Sequence, residues 1–430
     1  MAVTLLSCTR QRIDSSSSVL KRVQMDLRSE LLPFWAEKAV DREYGGFITH
    51  LDANGGRTGV SDKYLVTQAR LVWVFAAAHR HGITDRGYLD IARQGVNFLL
   101  DQMWDEELGG FFWCVRRNGE PIDMTKSTYG QSCAIYALAE YAAASGDARA
   151  LECAARVFEL LEQNARDGDL GYREKSLRNW QPIAGPEAYD KTFDTHVHLL
   201  EAYTALADVT RNPKHCDALG RLVRLLVEVR QDPAGVYRGG TLDRQWKPLP
   251  ADVARTFYGL NVEFAWLLMD ASRVLGEPPE KYRDIALKMI DHALEYGFDA
   301  DRAGLALYGP MNGRVEAATN LPSNWMTKEW WPQAELLVAL VEAYRWTGDR
   351  KYLDAFGKQF DWVWNRQIDH ACGDWFTDIS WKGDMVFHRN KGSERKCAYH
   401  NGRALMCIEK ALKDLGLEDY RVGAPLVGRQ

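Results

Sequence analysis

Twelve amphipathic segments recur along this 430-residue chain, and their spacing limits the fold more than any single residue does. They span roughly 18–35, 60–82, 86–104, 128–146, 148–166, 190–211, 213–231, 255–276, 278–296, 327–347, 349–367 and 399–414. Each carries apolar residues at the three-to-four spacing of a helix with one buried face. Short turns such as 144–147 and 211–213 join one pair of neighbours, and loops of about twenty or more residues join the next, too long to be mere connectors. Each long loop opens with an acid, then glycine, then an aromatic or branched residue: Asp41, Gly45, Gly46, Phe47; Asp105, Gly109, Gly110, Phe111; Asp167, Gly171, Tyr172; Asp232, Gly235, Tyr237; Asp299, Gly304, Leu305; Asp369, Gly373, Trp375. The following residues alternate and run into turns such as Asn54-Gly55 and Asn118-Gly119, which predicts a short hairpin. Helix, short turn, helix, hairpin is therefore the repeating unit. Six such pairs can close into a ring with one helix of each pair facing inward. The expected fold is all-α, an (α/α)6 barrel with short β-hairpins in the long loops on one rim. An open solenoid is the rival, but its repeats are usually shorter and lack such hairpins. The expected organisation is a loose N-terminal tail over 1–17, a single barrel domain over 18–416 and a C-terminal tail over 417–430.

Composition narrows the partners. A hydrophobic share of 46% and a charged share of 26%, with both signs interleaved, suit a soluble protein with a large core. A net charge of -5 and no long run of Lys or Arg argue against nucleic acid and anionic lipid. No stretch of about eighteen apolar residues predicts a membrane span. Leu5, Leu6, Ser7 and Cys8 faintly imitate a lipoprotein signal without its basic leader or apolar run. The eight cysteines lie far apart, with no CxxC pair and no metal-ligand spacing. Reduced thiols in a cytoplasmic protein with no metal and no cofactor are expected. A monomer and a homodimer are both open.

Polar residues cluster where each long loop hands over to the next helix: Gln68 and Arg70; Tyr129 and Gln131; Asp194, His196 and His198; Asn261 and Glu263; Trp330, Trp331, Gln333 and Glu335; His400, Asn401 and Arg403. Singly, each has a structural explanation. Tyr129 can be core with a satisfied hydroxyl, His196 a packed imidazole, Glu335 a partner for a structural arginine. As a ring at the repeat period, they surround one cavity with imidazoles, carboxylates, an arginine and indoles. That set suits a polyhydroxylated ligand, since indoles cover the apolar faces of a sugar while charged groups bind its hydroxyls.

Several of these stretches resemble the N-acylglucosamine 2-epimerase superfamily, and most closely its cellobiose 2-epimerase branch. The likeness lies in Leu32-Pro33-Phe34-Trp35 with Asp41-Arg42-Glu43, Tyr129-Gly130-Gln131, Thr195-His196-Val197-His198 with Leu200-Glu201-Ala202-Tyr203, Trp330-Trp331-Pro332-Gln333-Ala334-Glu335, and Lys396-Cys397-Ala398-Tyr399-His400-Asn401-Gly402-Arg403. The resemblance implies an (α/α)6 barrel and metal-free epimerisation or aldose–ketose isomerisation at C1/C2 of a reducing sugar. It also implies His400 as main acid/base, His198 at ring opening or O1, and Arg70 on substrate oxygens. Tyr129, Asp194, Asn261, Glu263, Trp330, Trp331, Glu335 and Arg395 are the further substrate-binding candidates. Taking a proton from carbon beside a carbonyl needs a base titrating near neutrality and a cationic or hydrogen-bonding partner for the enediolate. An imidazole and a guanidinium supply both.

Three departures bear on the reaction. The superfamily's Gly-His-x-x-Glu motif reads Gly259-Leu260-Asn261-Val262-Glu263 here, and Leu260 cannot carry a proton. Two-sided epimerisation is thereby weakened, whereas one base can still move a proton between C2 and C1. Asp194 stands where the superfamily tends to have Asn, and Arg395 where the cellobiose branch tends to have a stacking Trp. Arg395, with Arg389, Lys391 and Lys396 nearby, opens the option of an anionic sugar. A glycoside hydrolase or uronate lyase on the same barrel is the alternative, with Asp194 and Glu263 or Glu335 as the carboxyl pair. A binding protein that has lost a base is the third.

Overall fold

The computed structural model describes residues 17–229, 235–249, 255–317, 325–387 and 389–424. The rest of the N-terminal tail, Cys8, Asp232 and residues 425–430 lie outside them. In chain order the helices are α1 (Val19–Met25), continued by a π-helical stretch (Asp26–Leu31) into α2 (Leu32–Lys38), α3 (Leu65–Arg80), α4 (Tyr88–Phe98), α5 (Thr128–Ser145), α6 (Ala148–Leu160), α7 (Phe193–Thr210), α8 (Pro213–Val229), α9 (Tyr258–Val274), α10 (Glu280–His292), α11 (Trp330–Thr347), α12 (Arg350–Trp362) and α13 (Tyr399–Asp414).

Helices α3, α5, α7, α9, α11 and α13 pack each against the next, and α13 returns to α3, so the inner ring is closed. Burial explains the division. Every residue of α3 from Leu65 to Ala78 is buried, whereas α4 buries only one stripe. A helix apolar all round must be surrounded, and an amphipathic one must lie outside. Helices α4, α6, α8, α10 and α12 each back the inner helix that precedes them, and α1 backs α13. The two ends of the described chain thus complete one helix pair, tied by the Val19 N–H donating to the Tyr420 carbonyl at 2.9 Å.

Two of the short turns, after α5 and α11, share one pair of residues. Gly146 and Gly348 take positive φ after α5 and α11, where a side chain would be strained. Asp147 and Asp349 then cap α6 and α12 by accepting from the Arg149 and Lys351 N–H groups.

The long loops carry β1 (Lys63–Tyr64), β2 (Cys114–Val115), β3 (Pro121–Asp123), β4 (Lys126–Ser127), β5 (Lys175–Ser176), β6 (Lys191–Thr192), β7 (Thr241–Leu242), β8 (Thr256–Phe257), β9 (Tyr308–Gly309), β10 (Lys328–Glu329) and β11 (Asp378–Ile379). Hairpin pairing within a loop is present, as between β2 and β3, but most strands also join neighbouring loops. The strand before each of α3, α5, α7, α9 and α11 pairs antiparallel with a strand of the following loop. Several inner helices accordingly begin later than their apolar pattern predicts, because residues such as Lys63, Lys191 and Lys328 are extended. Their ammonium groups are buried on the opening acids of the loops: Lys63 on Asp41, Lys126 on Asp105 and Lys191 on Asp167, each at 3.0 Å, and Lys328 on Asp299 at 2.9 Å. Arg117, Arg178 and Arg244, each from the next loop along, add a second cation to Asp41, Asp105 and Asp167. These pairs lock one loop to its neighbour around the rim.

The C-terminal tail read over 417–430 needs correcting in its described part. Tyr420 is buried and its hydroxyl donates to the Leu353 carbonyl, so the chain packs on α12 after α13 ends. Among the described residues no helix is long and apolar enough to cross a membrane, and all seven cysteines are free.

Candidate active site

The polar clusters at the head of the inner helices divide between two faces. One position per repeat holds the preceding loop. The Gln68 carboxamide accepts from the Phe47 N–H and donates to its carbonyl, both at 2.8 Å. Gln131 does the same with Phe111, and Gln333 with Leu305. His196 accepts at Nε2 from the Tyr172 N–H at 2.9 Å, and Asn261 accepts from the Tyr237 N–H at 2.8 Å. The loop glycines make this approach possible. At Gly46 an added Cβ would lie 2.7 Å from the Gln68 oxygen, and at Gly171 it would lie 2.5 Å from His196 Nε2. In the last repeat the pattern changes, and Asn401 donates to the Asp374 side chain at 2.9 Å.

Two residues away along a helix is about 200° around it, so the neighbours at that spacing face the opposite way. Arg70, Tyr129, Asp194, His198, Glu263 and Trp331 stand two residues from their repeat's loop-holding residue, and all line one cavity of about 240 Å³. His400, Trp330 and Arg395 complete its polar and indole wall, with Phe257, Leu307, Tyr308 and Glu329 from the loops. Arg70 donates to the Tyr129 hydroxyl at 2.9 Å and to the Arg395 carbonyl at 3.2 Å. The Trp331 ring lies 5.6 Å from the His400 ring and packs edge-on to Phe257 at 5.0 Å.

Behind the cavity runs a buried chain of charges. His400 Nδ1 lies 2.6 Å from Glu335 Oε1, which also accepts from Arg403 at 2.8 Å, while Glu335 Oε2 accepts from the Trp266 indole N–H at 3.0 Å. Arg403 further donates to Glu263 at 2.6 Å and to the Tyr399 hydroxyl at 2.7 Å, and pairs with Glu201. His198 has both nitrogens beside carboxylates, Glu201 at 3.2 Å and Asp194 at 3.4 Å. His400 differs in this respect. With Nδ1 taken by Glu335, its Nε2 is the nitrogen left for a ligand.

Burial sets the protonation states. It pushes His400 well below the ordinary imidazole range, helped by the nearby Arg70 charge, and brings His198 down to about 4 against the pull of Asp194. Both rings are therefore neutral at neutral pH. Glu263 is pushed well up by burial and by Glu335, and its Oε2 is buried without a protein partner. A buried carboxyl oxygen without a partner is a hydrogen-bonding group awaiting one. Burial also raises Glu335, to about 8, against the Trp266 hydrogen bond. Ligand atoms of Glu263, Glu335 and His400 lie within 4.8 Å of one another, but the Arg403 guanidinium already supplies a cation to both carboxylates.

Of the sequence candidates, Arg70, Tyr129, Asp194, His198, Glu263, Trp330, Trp331, Arg395 and His400 meet at the cavity. Glu335 stands directly behind His400. Asn261 does not face the cavity: its carboxamide also donates to the Phe257 carbonyl at 2.9 Å, and its polar atoms are spent on the loop. The four nearby basic residues also separate. Arg389 pairs with Asp378 at 2.8 Å, Lys391 with Asp369 at 3.0 Å and Lys396 with Asp374 at 2.7 Å, which leaves Arg395 facing the cavity. Sequence reasoning missed Phe257, Tyr308 and Glu329. Phe257 and Glu329 end the short strands β8 and β10 immediately before inner helices, which was the available signal.

The closed double ring of six helix pairs, with its cavity at the inner-helix heads, defines an (α/α)6 barrel. Residues 46–404 match the family described as N-acylglucosamine 2-epimerase (GlcNAc 2-epimerase). The cellobiose 2-epimerase of Bacteroides fragilis is 31% identical over 400 residues, covering 91% of this chain and 98% of that one. The N-acylglucosamine 2-epimerase of mouse is 26% identical and covers 91% of each chain. The solved structure of cellobiose 2-epimerase from Bacillus thermoamylovorans superposes with a TM-score of 0.82 at 27% identity, over 91% of this chain and 98% of that one. The chain belongs to the N-acylglucosamine 2-epimerase family, whose named relatives here are sugar epimerases.

Proposed function

We infer that the protein interconverts an aldose and a ketose by moving a proton between C2 and C1, with His400 as the acid/base. The observation that carries this reading is the His400 ring, anchored at Nδ1 by Glu335 with Nε2 left at the cavity. Leu260 supplies no second imidazole, and transfer between adjacent carbons on one face of an enediolate needs one base, whereas inversion at C2 needs two. Arg70 binds substrate oxygens in this reading and supplies the charge that steadies the enediolate. Glu263, whose free oxygen faces no protein partner, binds a hydroxyl, His198 assists at O1, and Trp330 and Trp331 cover the apolar face of the ring. Arg395, which forms no ion pair among the described residues although its charge reaches Asp194, favours a sugar bearing an acidic group at the His198 side of the cavity.

Proton NMR in deuterated water tests this with D-glucose, D-mannose, D-fructose, cellobiose, N-acetylglucosamine and D-glucuronate. Wild-type protein is expected to exchange the C2 proton of at least one reducing sugar and to form the ketose or aldose partner, and His400→Ala is expected to stop both. No exchange with any of them sinks the reading, while a new reducing end or an unsaturated product points to hydrolysis or elimination. The acidic-sugar part fails on its own if neutral and anionic sugars of matched size turn over equally and Arg395→Ala changes neither.

A further inference from the structure

The isomerisation inferred above moves two protons, one between carbons and one between oxygens, and His400 accounts only for the first. The second needs a group at the cavity that can both give and take a proton near neutrality. Glu329 ends β10, one residue before α11, and lines the same cavity as His400. Its Oε2 accepts from the Trp331 indole N–H at 3.1 Å. That indole reaches three further neighbours. It lies 5.6 Å from the His400 ring and 5.0 Å from the Phe257 ring, and a Cβ added at Gly259 would lie 2.8 Å from it. Glu329 therefore holds the pyrrole edge of an indole whose benzo edge meets the first turn of α9, the turn that carries Leu260.

We propose that Glu329 is the second acid/base group of this cavity and passes the hydroxyl proton between O1 and O2. In the first step His400 removes the C2 proton, and the C–H electron pair becomes the C1–C2 double bond. The carbonyl pair moves onto O1, which takes its proton from the Glu329 carboxyl. In the second step His400 returns its proton to C1, the O2 hydroxyl proton passes to Glu329, and the C2–O bond becomes the carbonyl. Both groups end as they began.

The charges around Glu329 suit this exchange. Burial raises its carboxyl to about 7, with Asp378 from the paired strand β11 adding to the rise, and the Trp331 hydrogen bond and Arg389 opposing it. Arg389 is itself held by Asp378, and among the described residues Tyr308 also faces Glu329, its hydroxyl pushed up by burial.

The test uses the full chain with whichever sugar of the panel wild-type protein turns over. Glu329→Gln keeps an oxygen for the Trp331 N–H and removes the proton carrier. It is expected to lower kcat about 100-fold with KM within about threefold, and to erase the ionisation near neutrality from the kcat profile. Glu329→Asp, which keeps a carboxyl, is expected to recover at least about tenfold over Gln with its ionisation displaced. A Gln variant with kcat within about threefold of wild type and an unchanged pH profile overturns the proposal. If Gln does not fold, an Asp variant with an undisplaced profile overturns it instead. Wild-type protein that exchanges no C2 proton removes the isomerase reading itself, whereas normal exchange with an unaffected Gln variant removes only the role of Glu329.

Discussion

The two faces of each inner-helix head carry similar side chains under opposite demands. On the loop-holding face, Gln68, Gln131, His196, Asn261 and Gln333 have their hydrogen bonds committed to backbone. On the cavity face, His400 Nε2 and Glu263 Oε2 are left open inside a buried site. A satisfied buried polar group stabilises a fold, whereas an unsatisfied one costs stability unless a ligand completes it. Function in this barrel is therefore located by incomplete hydrogen bonding, and residue type alone does not separate the faces.

The largest effect that can break this contrast lies at His400. His400→Asn leaves an amide nitrogen near the position of Nδ1, so Glu335 keeps a donor while the free ring nitrogen disappears. Turnover is expected to fall about 10³-fold or more with the thermal midpoint nearly unchanged, measured by isomer formation and by a melt. A collapse in stability matching the loss of turnover would place His400 among the structural residues instead.

Gln131→Ala inverts that outcome. It strips the side chain that pairs both the N–H and carbonyl of buried Phe111, and two orphaned backbone groups cost about 2–4 kcal/mol. Denaturant unfolding is expected to show that loss while kcat at saturating sugar stays within about threefold. A fall of 100-fold or more in kcat at full folding would mean that the two faces are not separable.

Much of this arrangement was readable before any coordinates. Six helix pairs with alternating short and long links sufficed for the ring, whereas the inner helices show only in burial, since α3 is buried from Leu65 to Ala78 and α4 along one stripe. The cavity set was also readable, since Arg70, Tyr129, Asp194, His198, Glu263, Trp331 and His400 recur at the repeat length. What could not be read was direction. Asn261 and Glu263 are two residues apart on one helix, and only the Tyr237 backbone decides that the first is spent. Nothing in the pattern singles out the buried Lys63 and Lys126, because their partners Asp41 and Asp105 lie in loops about twenty residues earlier. Glu329 was hidden for the same reason, as its neighbours Asp378 and Arg389 come from the following loop.

His196 offers the finest test, since it places a titratable ring on the face that elsewhere uses carboxamides. Its Nδ1 donates to the Thr192 carbonyl and its Nε2 accepts from the Tyr172 N–H, so the folded protein requires the neutral ring. Burial pushes its pKa from the ordinary 6.5 down to about 3. The unfolded chain therefore binds the extra proton between those values. This contribution to stability is complete above about pH 6.5 and is lost progressively as pH falls toward 3. His196→Gln installs the residue that holds the loop in three other repeats and that does not titrate. Unfolding free energies taken from pH 4 to 8 are expected to fall less steeply below pH 6.5 in the variant, by up to one proton, so that the variant gains on wild type toward the acid end. Parallel curves would show that the ring is not held neutral by Tyr172, and that the loop-holding face tolerates a charge it is built to exclude.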